Sequence, residues 1–502
     1  MKKPEHKKME RHPVVCIMGH IDHGKSTLLD YIRKTNIVEG EVGGITQKIS
    51  AYEVIHKKGG QDKKITFLDT PGHESFGNIR SRGVDVADVA ILVVSAEDGV
   101  KKQTLEALKC IEGDGLPYIV AINKIDRPNA DVEKTKMNLS ENGIYLEGYG
   151  GSIPFVPISA KTGTGVDELL DMLLLVTEME ELTGDPAVPA EGILIEAYLD
   201  TQKGISATLI IKNGSLKQGD YVVCGDSFAS TRAMEDFHGK KISEATFSSP
   251  IKIIGFNKLP KVGYPFTTFN SKKEAEESAN SFVDNIALKP ECRIIDENPD
   301  IITLPIIIKA DNVGSLDGII HEINKIKNDK VKIRIIAAKI GDISETDVKM
   351  ATGNKIPISI IGFNVKTDQQ ARILAERDNI TIKNFNIIYK LGEWLEEIML
   401  SNTPKVSFEE TTARAKILKY FSSVKDKQVC GGRVEMGTIK VGDEIKIMRN
   451  AVEIGKGKIR ELQQQKEKTS EVREGVEFGC MIQSAETLAP GDKIEVFETI
   501  IK

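Results

Sequence analysis

Nine consecutive residues, GHIDHGKST at 19–27, set two glycines, a lysine and two hydroxyls at the spacing Gly19-x4-Gly24-Lys25-Ser26. Glycines let a loop close tightly around an anion. Its backbone N–H groups then converge on phosphate oxygens, and the positive end of a following helix strengthens that field. In such a loop Lys25 reaches the β- and γ-phosphates of a nucleoside triphosphate, and the Ser26 hydroxyl ligates Mg2+. Gly19, His20, Ile21, Asp22, His23, Gly24, Lys25, Ser26 and Thr27 are therefore candidates for the phosphate site.

Two further stretches carry base chemistry. VAINKID at 120–126 brings Asn123, Lys124 and Asp126 to a strand end, and ISAKTG at 158–163 brings Ser159, Ala160 and Lys161 to another. A carboxylate at Asp126 can accept two hydrogen bonds from the N1–H and exocyclic amine of guanine. Adenine offers no such donor pair, so the nucleotide is expected to be GTP or GDP. A backbone N–H in the Ser159–Lys161 turn could meet the guanine oxygen.

FLDTPGHESF at 67–76 adds the reacting end. KKITFLDT reads as an apolar strand, which Pro71-Gly72 must break into a turn. Asp69 then stands at the C-terminal edge of a sheet, where it can hold the Mg2+ shell. Thr70, Pro71 and Gly72 lead to His73, four residues on, where small GTPases place the glutamine that orients the attacking water. A lone histidine after a turn is ordinarily a loop residue. In this company it could orient a water or, protonated, stabilise developing negative charge, and the residues leave both roles open. Thr46, in VGGITQKIS between the two Mg2+ motifs, is a third candidate metal ligand in a segment that a γ-phosphate could order.

These residues need a scaffold of strands ending at one edge. VVCIMG, KITFLDT, VAILVVSA, YIVAINK and FVPISA alternate with helical stretches, which argues a mostly parallel sheet covered on both faces over residues 1–182. The Pro-punctuated TGDPAVPA reads as a linker. Short β-type runs with Gly-Asp turns then predict a β-barrel at 188–285, including a charged helical stretch at its end. Alternation returns at 300–386 as an α/β/α domain, and apolar residues at 387/388, 391, 394/395 and 398/399 predict a connecting helix over 387–404. A C-terminal β-barrel is expected at 405–502. GSLKQGDYVV (214–223) and GTIKVGDEIKI (437–447) share residues at fixed offsets, as two related barrels would.

A chain of 502 residues needs several such cores, and no run of about 18 apolar residues offers a membrane span. The charged N-terminus and the short VVCIM do not make a signal peptide, so a cytoplasmic protein is expected. Six scattered cysteines without a C-x-x-C pair fit reduced thiols and no zinc site, and His20 with His23 lack further ligands nearby. Net charge is −6, which excludes a general nucleic-acid coat, yet residues 411–468 hold 14 Lys and Arg against 7 Asp and Glu. Such an excess is commonly a solvated face; a phosphate-contacting surface is the sharper reading.

With these residues in place, the chain resembles a translational GTPase. GHIDHGKST, GGITQ, DTPGHESF, NKID and SAK are similar to that superfamily's signatures. Within it, FLDTPGHESF, RSRG, ADVAILVVSAEDGV, ISIIGFNVKTD, FNIIYKL and the order of domains resemble bacterial translation initiation factor two. The resemblance implies a multidomain α/β plus β fold: P-loop GTPase domain, β-barrel, α/β/α domain, long connecting helix and C-terminal β-barrel. It implies GTP hydrolysis triggered by the ribosome, with His73 catalytic and Ile21 and Ile45 as an apolar gate before it. It further implies contact with both ribosomal subunits, binding of formylmethionyl initiator tRNA by the C-terminal barrel, promotion of subunit joining, and a monomer. The basic excess at 411–468 suits a tRNA acceptor arm. The chain departs from the family in having about a dozen residues before the GTPase domain, Lys48 where histidine is usual, and Cys430 and Cys480 displaced by two positions. The alternatives are a GTP-controlled ribosome-binding module in which hydrolysis is incidental, and another branch of translational GTPase. The α/β domain argues against tRNA-carrying elongation factors, which have two consecutive barrels.

Overall fold

The apolar runs of the first 160 residues are strands in the computed structural model, and alternate side chains of each fill two different cores. The structure describes residues 8–34, 49–200, 203–282, 302–328, 330–352, 357–403, 407–424, 426–450 and 452–501. Strands β1 (Val14–Gly19), β2 (Ser50–Lys58), β3 (Gln61–Asp69), β4 (Val89–Ser95), β5 (Tyr118–Asn123) and β6 (Phe155–Pro157) form one sheet, ordered β2-β3-β1-β4-β5-β6. All neighbours are parallel except β2, which runs antiparallel to β3. That edge strand mixes polar and apolar residues, so it lacks the continuous apolar run that marks the others.

Side chains alternate across the sheet. Val15, Ile17, Ile91 and Val93 pack under Leu28 of α1 (Lys25–Arg33) and, later in the chain, Leu169 and Leu173 of the helix Val166–Met179. Cys16, Met18, Leu92 and Val94 pack under Ile79 of α2 (Gly77–Val86) and Ile111 of α3 (Lys102–Gly113). The helices α4 (Val132–Glu141) and α5 (Val166–Met179) complete the layers.

An antiparallel sheet follows, of β7 (Glu191–Asp200), β8 (Gly204–Asn213), β9 (Tyr221–Cys224), β10 (Ser227–Ser230), β11 (Met234–Asp236), β12 (Pro250–Ile254) and β13 (Pro265–Phe269). Its order is β10-β9-β13-β7-β8-β12-β11, and a bridge from Ala229 to Phe256 curls β10 back towards the end of β12. The charged stretch after it is helical over α6 (Lys272–Ser281). The Pro-punctuated linker does more than connect: Thr183 and Gly184 pair with Glu10 and Met9.

Asp88, just before β4, ties the two sheets together. Its carboxylate accepts from both terminal nitrogens of Arg11 at 2.6 Å, from Lys212 of β8 at 2.8 Å and from the Val14 N–H at 2.8 Å. Burial pushes its pKa up, but the Arg11 hydrogen bond and the Lys212 charge outweigh that and hold it below the usual carboxylate range. A depressed native pKa contributes stability that is present above the unfolded value of about 4 and is lost as pH falls through the native value. Asp88→Ala is expected to cost about 3 kcal/mol, because Arg11 and Lys212 are left partly buried without their anion. Chemical denaturation at pH 7 and pH 3 checks this: the difference between wild type and variant should shrink at the lower pH.

The third sheet is wholly parallel. Its elements are β14 (Ile302–Ala310), α7 (Val313–Lys325), β15 (Val331–Ile340), α8 (Glu345–Ala351), β16 (Ser359–Phe363), α9 (Gln369–Arg377) and β17 (Ile382–Phe385), with strand order β15-β14-β16-β17. The connecting helix is α10 (Ile388–Ser401), and the residues it buries, Ile388, Leu391, Leu395 and Met399, follow the apolar spacing. Ile388, Leu391 and Leu395 share one core with Ile319 and Ile323 of α7, and that core continues to Phe76 and Ile79 beside the first sheet.

Residues Thr403–Lys502 are a separate compact unit from Met1–Asn402. Strands β18 (Ser407–Val424), β19 (Lys427–Met436), β20 (Glu444–Arg449), β21 (Val452–Gln464), β22 (Glu477–Ser484) and β23 (Lys493–Ile501) run in the order β20-β23-β18-β19-β22-β21. Pairing of β20 with β21 closes the barrel, which removes its edges. The internal similarity is structural as well. In one barrel the Lys217 N–H donates to Asp220 at 2.8 Å between left-handed Gly214 and Gly219 turns; in the other Lys440 donates to Asp443 at 2.7 Å between Gly437 and Gly442.

Candidate functional site

Gly19, Asp69, Asn123 and the turn after β6 all lie at C-terminal strand ends, the edge where parallel sheets leave room for ligands. Asn123 and the turn after β6 border a cleft of about 510 Å³. Ile21, Asp22, Gly24, Lys25, Ser26, Thr27, Gly72, His73, Asn123, Lys124, Asp126, Ala160 and Lys161 line it, together with Arg127. Gly19, His20, His23, Asp69, Thr70, Pro71 and Ser159 are not among the lining residues. Thr46 and Ile45 lie outside the described residues.

Two glycines set the loop. Gly19 has φ 142° and a Cβ there would come 2.3 Å from the Val93 carbonyl oxygen; Gly24 has φ 89° and its Cβ would strike Asn123 Nδ2 at 2.3 Å. Lys25 is buried, and its ammonium donates to the carbonyls of Gly19 at 3.1 Å and His20 at 2.8 Å. Burial brings its pKa down to about 8, with the Asp69 carboxylate pulling the other way. His23 is a strut beneath the loop: Nδ1 is 3.3 Å from the Val93 oxygen, and burial lowers the ring to about 3. A neutral ring facing a carbonyl must donate, so the proton sits on Nδ1.

Asn123 joins the motifs physically. Its Nδ2 donates to the His23 carbonyl at 2.8 Å, and its Oδ1 accepts from the Ala160 N–H at 2.9 Å. Asp126 is exposed, with Oδ1 accepting from Ser159 Oγ at 2.7 Å; that bond holds its carboxyl below the ordinary range. Lys124 adopts φ 67° and pairs with Asp98 at 3.5 Å. Thr70 Oγ1 donates to the Ile17 carbonyl at 2.7 Å, pinning the turn after β3 to β1.

His73 caps a short 3-10 turn, Glu74–Phe76, with its Nδ1 accepting from the Ser75 N–H at 3.0 Å. Ser75 Oγ lies 2.5 Å from the same nitrogen and donates to the Glu322 carboxylate of α7. Burial brings His73 down to about 4 while the Glu322 charge pulls it up, so the ring is neutral at pH 7. Arg80 donates to the carbonyls of Gly72 and His73 and pairs with Glu106 at 3.3 Å. Sequence reading missed Arg80, Ser75, Glu322, Tyr389 and Gln103, which accepts from the Ile21 N–H at 3.1 Å. Arg80 had a local signal in its place on the helix after His73. The separation of 247 positions between Ser75 and Glu322 carried none.

The C-terminal unit has its own cleft, of about 710 Å³, lined by Phe421, Met481, Gly431, Gly479, Cys430 and Cys480 among others. The two cysteines face each other in the β19–β22 register, free, with sulfurs 3.3 Å apart. Gly432 is obligatory for the wall, since a Cβ would meet the Lys416 carbonyl oxygen at 2.6 Å. Among the described residues, no helix is long and apolar enough to cross a membrane, and no group of three or more His, Cys, Asp or Glu is placed to hold a metal.

Four family descriptions match successive segments: elongation factor Tu GTP binding domain at residues 10–179, elongation factor G domain 2 at 189–269, translation-initiation factor 2 at 279–396, and elongation factor Tu domain 2 at 427–494. Translation initiation factor IF-2 of Halothermothrix orenii is 40% identical over 506 residues, covering 99% of this chain and 73% of that relative. Among solved structures, GDP-bound aIF5B from Aeropyrum pernix is 26% identical with a TM-score of 0.47, covering 98% of this chain and 92% of that one. A bacterial selenocysteine-specific elongation factor EF-Sec is 15% identical with a TM-score of 0.42, covering 98% of this chain and 54% of that one.

Proposed function

The chain belongs to the translation initiation factor IF-2 family and is a GTPase of translation initiation, and from that premise we propose that it binds GTP in the cleft of the first sheet and formylmethionyl initiator tRNA in that of the C-terminal barrel. The observation that carries the nucleotide reading is the convergence of Lys25, Ser26, Asn123, Asp126 and Lys161 on one cleft. The loop amides and Lys25 take the phosphates, and Asp126 takes the guanine N1–H and amine. Ala160 already donates to Asn123, so the guanine oxygen competes for that amide or takes the next one. Ser26 and Asp69 offer oxygen donors only, the set a hard Mg2+ ion prefers, with Thr46 as a third. When bound, the ion neutralises charge on the β- and γ-phosphates. His73 orients the attacking water, and the ribosome brings it into place. On this reading the protein works in the cytoplasm as a monomer that touches both ribosomal subunits and promotes their joining.

Formyl recognition has a physical basis in the second cleft. A free methionine amine carries a positive charge that resists transfer to the part of the cleft lined by Phe421, Phe478, Met481 and glycines, though Glu461 and Glu477 line the same cleft beside Lys419 and Lys466. The formyl group removes that charge. The exposed Phe421 and the basic excess around the barrel suit the acceptor end and its phosphates. Filter binding of formylated and unformylated initiator tRNA tests this: the formylated form should bind at least about tenfold tighter. Equal affinity for both, or for an elongator aminoacyl-tRNA, would sink the tRNA assignment.

A further inference from the structure

The turn after β6 borders two clefts. Ala160 and Lys161 line the nucleotide cleft and also a second one, of about 940 Å³, whose wall includes Tyr31 of α1. A closed set of hydrogen bonds shapes the turn between them. The Ser159 N–H donates to the Thr164 carbonyl at 2.9 Å, and the Gly163 N–H donates to the Ser159 carbonyl at 2.8 Å. Ser159 Oγ accepts from the Thr162 N–H at 3.2 Å while donating to Asp126 at 2.7 Å. The carboxylate proposed to read guanine is therefore oriented by this turn through one serine hydroxyl. Gly163 is where another element meets the turn. It has φ 86°, and a Cβ there would come 1.9 Å from Tyr31 Oη and 2.1 Å from its Cζ. The Tyr31 phenol thus lies against the glycine's backbone, where any side chain at 163 would collide with it. Tyr31 stands on α1, whose N-terminus at Lys25 is the end that meets phosphate. The residue is 43% exposed, so burial in a core does not account for its place.

We propose that Tyr31 is a positioning residue for guanine recognition: its ring, set against Gly163, fixes the spacing between the phosphate-binding helix and the turn that orients Asp126. GTP must satisfy both ends at once, with its phosphates at the start of α1 and its base at Asp126. A phenol ring is a stiff spacer with only two side-chain torsions. Because residue 163 is a glycine, the ring bears on backbone and not on a side chain that can rotate away. Tyr31 is not among the residues lining the nucleotide cleft, and it acts through Gly163, Ser159 and Asp126. The inference rests on the assignment of that cleft to GTP and of Asp126 to its base.

The test is competition of GDP and inosine diphosphate for a fluorescent guanine nucleotide on the full chain, in wild type, Tyr31→Phe, Tyr31→Leu and Tyr31→Ala. Inosine diphosphate lacks the exocyclic amine, so the preference for GDP over it reads one hydrogen bond to Asp126. Tyr31→Ala and Tyr31→Leu should weaken GDP roughly tenfold and cut that preference at least about threefold, as a misplaced carboxylate loses part of a charge-assisted bond. Tyr31→Phe keeps the ring and should match wild type in both readings. Unchanged GDP affinity in the alanine and leucine variants overturns the proposal. So does a loss of affinity that leaves the preference intact, which would mark a disturbed phosphate end, and so does a phenylalanine variant as impaired as alanine. Failure of the underlying base assignment looks different: wild type itself would then show no preference for GDP over inosine diphosphate.

Discussion

His73→Ala is expected to lower ribosome-stimulated GTP hydrolysis by roughly 10²- to 10⁴-fold, the range that a positioned side chain in proton transfer or water orientation supplies. Nucleotide affinity should hardly change. The groups proposed to bind phosphate and base sit on the loop at 19–27 and at Asn123, Asp126 and Lys161, and none depends on the imidazole. The substitution also removes the cap of the 3-10 turn, worth about 1 kcal/mol, so thermal unfolding belongs beside the kinetics. His73→Gln separates the two effects, since a glutamine can still accept from Ser75 and hold a water. Partial retention by glutamine with near-complete loss by alanine would fix the role as water orientation. Pre-steady-state phosphate release after mixing with ribosomes is the measurement, and an unchanged rate in the alanine variant would return His73 to the status of a turn residue.

Asp126→Asn should exchange one base for another. The carboxylate offers two acceptors to the N1–H and amine of guanine, each bond to a charged group being worth about 1.5–3 kcal/mol. An amide turns one acceptor into a donor that meets the guanine amine head-on. GTP affinity should therefore fall roughly 10²- to 10⁴-fold, toward the lower figure because Asp126 is exposed and screened. Xanthine carries a carbonyl where guanine has its amine, so XTP should bind the variant better than GTP does. Ser159 can still donate to the amide oxygen, which keeps the side chain oriented. Competition between GTP and XTP for a fluorescent nucleotide reads the exchange directly, and an unchanged GTP preference would move base recognition away from Asp126.

The residues proposed to bind nucleotide were legible because their chemistry is local. A phosphate loop needs its glycines, lysine and hydroxyl within nine residues, and each base motif closes a strand whose apolar run announces it. The same locality made the Gly-Asp turns of the two barrels readable, since Asp220 and Asp443 each bond an amide three residues back. Strand β2 escaped notice because an edge strand with one wet face has no continuous apolar signal. The apolar spacing of α10 gave its buried face but not what that face would meet.

Sequence alone determined the candidacy of Lys25, Asp69, Asn123 and Asp126 for a GTP site, the succession of α/β and β segments, and the candidacy of His73, because hydrogen-bonding chemistry and hydrophobic periodicity act over a few residues. Only the tertiary structure decided what surrounds that histidine. Ser75 and Glu322 are 247 positions apart, and their hydrogen bond exists because Gly314 and Gly318 let a helix of the third sheet approach the turn closely. Likewise Arg11, Asp88 and Lys212 become one ion cluster only when two sheets pack. Such contacts are set by the complementarity of surfaces far apart in the chain, and nothing periodic in either segment records its partner.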